Sequence, residues 1–415
     1  MADRNRRLAQ WRARYPTITE LETLAQRRVP YFAFDFLQGG TGEELSCARN
    51  LAALRDIEIM PRYSVDVSAP DISSTLFGRS YSSPLVIAPV GMDGAIWPGA
   101  TGYLAETARD LKLAYMPSTM ATRSIEDIAG IAPESAWFQL YGFPKDDHKV
   151  SFDLIRRAEA AGAHVLGVTV DIPGPARRVR DMRNGLGVRF RPTPKAIAGI
   201  LTRPAWFAGL LRSGFPVVEN VRPYCREGAR KDEIEAFVRD ARAGSGVHWD
   251  VIARIRDKWP RKLVIKGVLH PADAERAASL GLDGVIVSNH GGRQFDPAPA
   301  PIDVLPAIRA AVGDRMEILM DSGIRSGTDI FKAIACGADG VLAGRAFIIG
   351  LAALGADGAR HVAAVMMEEL RVALVQSGAV NLAGVRKLAI RHRNAWRLED
   401  FAESMGSSGI KESSQ

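Results

Sequence analysis

Eight short apolar segments alternate with amphipathic, helix-like stretches from about residue 85 onward, and this rhythm constrains the fold more than any other feature. Strands that are apolar along their whole length are typical of a parallel sheet covered on both faces. Eight repeats of strand and helix predict a closed (β/α)8 TIM barrel in the α/β class. The predicted strands cover residues 85–90, 113–116, 136–140, 165–170, 263–266, 284–287, 318–320 and 340–342, with helices predicted at 100–111, 152–161, 249–258, 271–280 and 303–311.

Two parts of the chain interrupt this rhythm. Residues 1–80 are predicted to form a helical N-terminal extension before a barrel at 81–388, and residues 389–415 a C-terminal tail. The other exception is the connection at residues 172–248 after the fourth strand, because barrel loops usually take about 2–6 residues. A long insertion at the carboxyl end of a strand is more often functional than filler.

Positive charge is concentrated in that insertion. The net charge is +7, yet residues 174–230 alone contain twelve lysines and arginines against three acidic residues. A charge this local, without a recognition motif, argues against a nucleic acid partner. The three cysteines are too far apart for a zinc motif, so we expect neither a metal site nor a disulfide framework. No secretory signal or spanning stretch is predicted, which suggests cytoplasmic localisation.

Polar residues follow nearly every predicted strand, whereas the strand interiors are apolar. In a (β/α)8 barrel the carboxyl ends of the strands carry the active site, so this pattern predicts an enzyme. The residues at these ends are Val90, Gly91, Ser118, Gln139, Tyr141, Thr169, Asp171, Lys266, Ser288, His290, Arg293, Asp321, Gly323, Arg325, Gly344 and Arg345.

The last two strand ends combine glycine with arginine. Gly323 and Arg325 follow the seventh strand, and Gly344 and Arg345 follow the eighth. Glycines let a backbone approach a phosphate closely, and arginines bind it bidentately. Barrels often hold phosphate at this place, so we predict a phosphate site, although two tight turns with surface arginines would give the same residues.

The string Ser288-Asn-His-Gly-Gly-Arg-Gln294 is the most specific in the chain. The matching residues elsewhere are Gln139 to Tyr141, Asp171, Arg178, Lys266 and Asp321 to Gly323. Together they resemble the FMN-dependent 2-hydroxy-acid oxidases and dehydrogenases, a family that includes glycolate oxidase and the flavin-linked L-lactate dehydrogenases. The resemblance covers about residues 29–388, and residues 88–98 and 118–127 look closest to the (S)-mandelate dehydrogenase branch.

This resemblance implies FMN as cofactor and the oxidation of an (S)-2-hydroxy acid, such as lactate or a mandelate-like acid, to the 2-keto acid. His290 would be the base, since imidazole is nearly matched to neutral pH. Asp171 matches the family aspartate that pairs with this histidine and stabilises the imidazolium. Tyr141 would hydrogen-bond the substrate. Arg178 and Arg293 match the two arginines that hold the substrate carboxylate.

The resemblance also implies a flavin site along the strand ends. Lys266 would lie near the N1/O2 edge of the ring, where a cation stabilises the reduced, anionic flavin. The other contacts implied are the backbone of Val90 and Gly91 at N5, Ser118, Gln139 and Thr169 as hydrogen-bonding partners, Ser288, Asp321 at the ribityl chain, and Gly323, Arg325, Gly344 and Arg345 at the phosphate.

Phe36 departs from the family pattern. Relatives have a tyrosine at this place in the N-terminal extension, as part of the substrate-carboxylate site, and Phe36 has no hydroxyl. One hydrogen bond to a charged partner is worth roughly 1.5–3 kcal/mol. Its loss, with apolar Met120 nearby, favours a bulkier, more apolar or modified substrate.

Residues 191–216 contain an apolar run with a tryptophan, interrupted by Arg203 and Pro204. Such a segment with flanking arginines suits the interface of an anionic membrane, as in the membrane-linked family members that it resembles. A lid over the flavin or a subunit contact explains it equally well. We expect quinone or oxygen as electron acceptor, with Gly91 a weak indication of a dehydrogenase, and the family resemblance implies a homotetramer.

Two other functions stay open. A barrel of this fold can use its phosphate site for a phosphosugar or nucleotide substrate without flavin, and an FMN-binding barrel can be a non-catalytic binding protein. The presence of His290, Asp171 and both arginines favours the enzyme.

Overall fold

Eight parallel strands form the centre of the molecule. The structure is a computed structural model that describes residues 2–186, 193–242, 246–402 and 405. The strands are β1 (Leu85–Ile87), β2 (Ala114–Tyr115), β3 (Phe138–Leu140), β4 (Val165–Thr169), β5 (Lys262–Val268), β6 (Gly284–Val287), β7 (Glu317–Met320) and β8 (Gly340–Ala343). Each predicted strand overlaps one of these.

The strands close into a ring. They are hydrogen-bonded in the order β2-β1-β8-β7-β6-β5-β4-β3. Parallel bridges between Tyr115 and Ala136 and between Ser118 and Gln139 join β2 to β3. The predicted (β/α)8 barrel is therefore confirmed.

Helices surround the barrel and bury their apolar faces against it. They are Ala100–Leu111, Ile125–Ile131, Lys145–Ala160, Trp249–Lys258, Pro271–Ser279, Pro301–Val312, Gly327–Ala335, Arg345–Leu354 and Gly358–Ser377, with short pieces at Asp93–Ile96, Gly355–Asp357, Leu382–Val385 and Leu398–Phe401. The stretch Arg345–Ser377 is long and apolar enough to cross a membrane, but 78% of its apolar window is buried inside the protein. It is therefore a core element of the barrel.

The N-terminal extension wraps part of this shell. Its helices are Ala2–Arg14, Ile18–Arg28, Tyr31–Gln38 and Leu45–Arg55. Leu21 and Ala25 lie one helical turn apart, and both are fully buried. Glu58–Ile59 pairs with Ile390–Arg391, which joins the extension to the C-terminal part of the chain.

A small hairpin fills the amino-terminal end of the barrel. Its strands are Ser74–Leu76 and Arg79–Tyr81, and Phe77 and Tyr81 pack beside Trp137 in the barrel interior. The Trp137 indole N–H donates to Tyr81 Oη over 3.1 Å. The polar strand ends lie at the opposite end of the barrel.

The insertion after β4 is largely helical. Its elements are Val179–Arg183, Pro194–Leu201, Pro204–Ser213, Glu219–Tyr224 and Lys231–Ala241. Thr193 begins the second element by accepting a hydrogen bond from the Ala196 N–H, and Pro204 starts the third. Residues 191–192 of the predicted membrane segment and 403–404 and 406–415 of the predicted tail lie outside the described residues.

Candidate functional site

Three strand ends bring His290, Asp171 and Tyr141 together. His290 Nδ1 is 2.9 Å from Asp171 Oδ1, and His290 Nε2 is 3.3 Å from Tyr141 Oη. Because an ionised carboxylate only accepts hydrogen bonds, Nδ1 carries the proton of the neutral imidazole. Nε2 is then the nitrogen that can take a proton from a ligand.

The backbone at His290 has an uncommon conformation. His290, Gly291 and Gly292 have φ angles of +60°, +66° and +76°. For a residue with a Cβ the left-handed region costs roughly 1–2 kcal/mol, and such strain is typical of functional sites. Two hydroxyls support the turn, since Ser288 Oγ accepts from the His290 N–H and Ser322 Oγ from the Gly291 N–H.

Lys266 is a buried cation held between carboxylates. Its Nζ lies 2.7 Å from Asp321 Oδ2 and 2.6 Å from Ser288 Oγ. Burial alone would lower the pKa of Lys266, but Asp321 and Asp171 outweigh burial and hold the pKa above its ordinary value. For Asp171 burial opposes ionisation, yet His290 and Lys266 hold the pKa of this carboxyl below its ordinary value. Both groups therefore stay charged.

Two arginines lie against the ring of Phe36. The Cζ atoms of Arg178 and Arg293 are 5.8 and 5.1 Å from the ring centre. Asp181 Oδ2 is 3.2 Å from Arg178 Nε and 3.9 Å from Arg293 Nη2. The pKa of Arg293 is lowered to about 9, mainly because the group is buried and further because Arg178 and Arg345 are positively charged. The pair carries more positive charge than Asp181 neutralises, which favours a bound carboxylate.

The N-terminal extension fixes the orientation of Arg293. Its Nη1 donates to the carbonyl oxygens of Phe36 over 2.9 Å and Gly39 over 2.6 Å. These carbonyls stand at the end of the helix Tyr31–Gln38, where the last turn has unpaired acceptors and a partial negative charge. The extension thereby forms one wall of the site.

A buried hydrogen-bond chain crosses the strand ends beside the basic groups. Ser118 Oγ donates to Gln139 Oε1 over 2.8 Å, and Gln139 Nε2 donates to Thr169 Oγ1 over 2.9 Å. A Cβ at Gly91 would lie 3.0 Å from Met120 Cβ, so a side chain there would fit only if Met120 moved by a few tenths of an ångström. Val90 and Gly91 are both half-buried. A flat, polar-edged ring fits such a surface of amide, hydroxyl and bare backbone.

A cavity of about 190 Å³ lies at the ends of β7 and β8. Its lining includes Gly323, Arg325, Arg345, Cys47 and Asn50. Burial, and then the charge of Arg345, lower the pKa of Arg325 to about 10. Among the described residues neither guanidinium forms a salt bridge; Arg345, for example, donates to the Gly291 carbonyl over 2.7 Å. Two half-buried cations at one cavity fit a phosphate dianion.

The residues at the strand ends provide what the phosphate and the ring of FMN each require. Gly344 directly precedes the helix Arg345–Leu354, so a helix N-terminus adds to the phosphate cavity. Lys266 and the amide–hydroxyl chain offer the cation and the polar groups that the edge of a flavin ring requires. Asp321 is held in place, because one of its oxygens pairs with Lys266 and the other accepts a hydrogen bond from the Ser322 hydroxyl. The residues present fit the group.

Three neighbours of the site were not predicted. Asp181 lies between the two arginines, and its position three residues after Arg178 on a helix was the available signal. Cys47 contacts the Gly291 carbonyl from the N-terminal extension. Arg242 lies at the end of the insertion with its Cζ 4.7 Å from the centre of the Tyr141 ring, and no spacing in the sequence connects these two residues.

Comparison with known proteins agrees with this geometry. A family model described as FMN-dependent dehydrogenase matches residues 25–392. The L-lactate dehydrogenase of Caulobacter vibrioides is 37% identical over 376 residues, covering 90% of this chain and 97% of the relative. The (S)-mandelate dehydrogenase of Pseudomonas putida is 32% identical over 368 residues, covering 89% of this chain and 92% of the relative.

Solved structures give the same result. A crystal structure of the monotopic membrane protein (S)-mandelate dehydrogenase has a TM-score of 0.85 at 32% identity, covering 91% of this chain and 99% of that one. A crystal structure of mandelate oxidase has a TM-score of 0.77 at 34% identity, covering 91% and 98%. The resemblance inferred from the motifs is thus confirmed, and the chain belongs to the FMN-dependent dehydrogenase family.

Proposed function

We propose that this protein oxidises an (S)-2-hydroxy acid to the 2-keto acid with FMN as the immediate electron acceptor. The arrangement that carries the proposal is His290, fixed between Asp171 and Tyr141, in one pocket with Arg178 and Arg293. Relatives named L-lactate dehydrogenase and (S)-mandelate dehydrogenase support this substrate class.

The arginines bind and orient the substrate. Arg178 and Arg293 present guanidinium groups to the substrate carboxylate, and paired forks suit its planar geometry. Because Arg293 Nη1 is held by the Phe36 and Gly39 carbonyls, this guanidinium is placed before the substrate arrives. Such preorganisation lowers the entropic cost of reaching the reactive geometry.

His290 moves the proton. Its Nε2 takes the proton of the substrate hydroxyl, and the adjacent carboxylate of Asp171 stabilises the imidazolium that forms. Tyr141 Oη, 3.3 Å from Nε2, can donate to the substrate oxygen. When bound, FMN would supply the acceptor for the α-hydrogen, which leaves the carbon with the two electrons of its C–H bond as that carbon becomes the ketone. The residues that would hold it are the strand-end set from Val90 to Arg345 described above, with Lys266 at the ring and Arg325 at the phosphate.

The test is anaerobic reduction of the purified holoenzyme. We expect the flavin absorbance to bleach on addition of L-lactate or (S)-mandelate, and to persist with the (R)-enantiomers as matched controls. A purified protein that holds no flavin would favour the barrel with a phosphorylated substrate. A protein that holds FMN and is bleached by no 2-hydroxy acid would be the non-catalytic binding protein.

We also propose that the insertion contacts an anionic membrane surface. Apolar side chains are exposed on the two helices Pro194–Leu201 and Pro204–Ser213 and just after them. The exposed fraction is 64% for Leu201, 71% for Leu211 and 75% for Phe215. Trp206 does not belong to this surface, because it is buried and its N–H donates to the Ile96 carbonyl over 2.9 Å. Exposed apolar groups beside basic residues suit the interfacial zone of a membrane.

The structural relative that is described as a monotopic membrane protein supports this contact. On this proposal the protein lies on the cytoplasmic face of a membrane and passes its electrons to quinone. From the family resemblance we also propose that the protein assembles as a homotetramer.

The membrane contact can be tested by flotation with vesicles that contain anionic phospholipid. We expect the wild-type protein to float with these vesicles, and the variant Leu211→Asp/Phe215→Asp to stay at the bottom of the gradient. Val372→Asp/Val375→Asp is the matched control, since these valines are 52% and 45% exposed on the helix Gly358–Ser377. Equal flotation of both variants would contradict the proposed contact.

A further inference from the structure

Arg242 is a third guanidinium at the substrate side of the site. It ends the helix Lys231–Ala241, and its Cζ lies 4.7 Å from the centre of the Tyr141 ring. Its Nε is buried without a hydrogen-bond partner. Among the described residues no carboxylate forms a salt bridge with Arg242.

The other charges of the site are already accounted for. Asp181 and one substrate carboxylate neutralise Arg178 and Arg293. Asp171 and Asp321 surround Lys266, and their remaining negative charge is balanced once His290 is protonated. The phosphate of FMN would take up the charge of Arg325 and Arg345. Within the described part of the chain, Arg242 is left without a counterion.

A half-buried guanidinium whose Nε is buried and unpaired is costly, and one aromatic ring does not replace the lost hydration. Burial accordingly lowers the pKa of Arg242, and the nearby Arg178 lowers it further, against the opposing effect of Tyr141. An anion that enters the pocket would remove this penalty. On the proposed function the substrate hydroxyl would face Tyr141 Oη and its carboxylate would face Arg178 and Arg293. The side chain on the α-carbon would then be the group that can reach Arg242, which lies against the Tyr141 ring.

We propose that Arg242 binds a second carboxylate on the substrate, which makes an (S)-2-hydroxy dicarboxylic acid the preferred substrate. This inference rests on the proposed function and narrows its substrate class. The shared reaction at the α-carbon is unchanged, because Arg242 contacts only the far end of the molecule.

The experiment compares acids that differ only in the distal group. The holoenzyme is reduced anaerobically with L-malate against (S)-2-hydroxybutanoate, and with (S)-2-hydroxyglutarate against (S)-2-hydroxypentanoate. We expect at least one diacid to exceed its partner in reduction rate over Kd by about tenfold to hundredfold, as a buried charge-assisted contact implies.

Substitution of Arg242 tests whether this residue causes the preference for the diacid. Arg242→Gln is expected to abolish the preference for the diacid, and Arg242→Lys to retain part of it. Arg239→Gln is the matched control, because Arg239 is exposed on the same helix, and it should retain the whole preference.

These measurements distinguish a failure of the diacid preference from a failure of the proposed function. The inference is overturned if neither diacid is preferred, or if Arg242→Gln lowers both members of a pair equally, as a purely structural contact with Tyr141 would. If no 2-hydroxy acid of either kind, lactate and mandelate included, reduces the flavin, the proposed function itself fails.

Discussion

Replacement of His290 with glutamine is expected to lower the rate of flavin reduction by roughly two orders of magnitude or more, with FMN still bound. The glutamine amide can donate to Asp171 Oδ1, as His290 Nδ1 does now over 2.9 Å. It has no basic nitrogen to replace Nε2, so the hydroxyl proton has no acceptor. The measurement is anaerobic stopped-flow of flavin absorbance with the best substrate found for the wild type.

The control uses the same substitution at the other end of the barrel. His164 Nε2 lies 2.8 Å from the Phe77 carbonyl oxygen, beside the hairpin that fills the barrel. His164→Gln should leave the reduction rate close to that of the wild type. FMN content and melting temperature of both variants show whether the site is intact. Near-normal reduction by the His290 variant would remove this residue from the role of base.

The barrel could be predicted because its signal is local and repeated. Each strand is apolar on both faces, and glycine-rich turns and helices separate the strands, so eight repeats suggest one closed ring. Because the strands are parallel, the residues that follow each strand in the sequence lie at the same end of the barrel. The residues that converge on His290 were placed at one end of the barrel by this rule alone.

Contacts that come from distant segments could not be read in the same way. The helix end that accepts hydrogen bonds from Arg293 and Arg345 belongs to the N-terminal extension, and periodicity carries no information on where such a helix docks. Trp206 illustrates a second limit. Its apolar run suggested a membrane-facing side chain, but the helix turns it inward, onto the short helix Asp93–Ile96.

Phe36→Tyr is the second substitution with a large expected effect, because it adds a hydroxyl to a ring that lies against two guanidinium groups. The ring of Phe36 is 5.8 Å from Arg178 Cζ and 5.1 Å from Arg293 Cζ, so it borders the place where these arginines meet a carboxylate. A neutral donor to a charged acceptor contributes roughly 1.5–3 kcal/mol, or about a tenfold to hundredfold change in affinity. We expect Kd for L-lactate and (S)-mandelate to fall by this factor in flavin-reduction titrations.

Phe34→Tyr provides the matched control. Phe34 is half-buried on the same helix, Tyr31–Gln38, and residues two positions apart face different sides of a helix. Its new hydroxyl should therefore leave both Kd values unchanged. A bulky acid that fills the volume beside Phe36 would respond in the opposite direction, because the added hydroxyl would crowd it and be left poorly paired. If compact and bulky acids are both unaffected by Phe36→Tyr, the ring of Phe36 does not line the bound substrate. The substrate carboxylate must then bind away from the place where Arg178 and Arg293 lie against this ring.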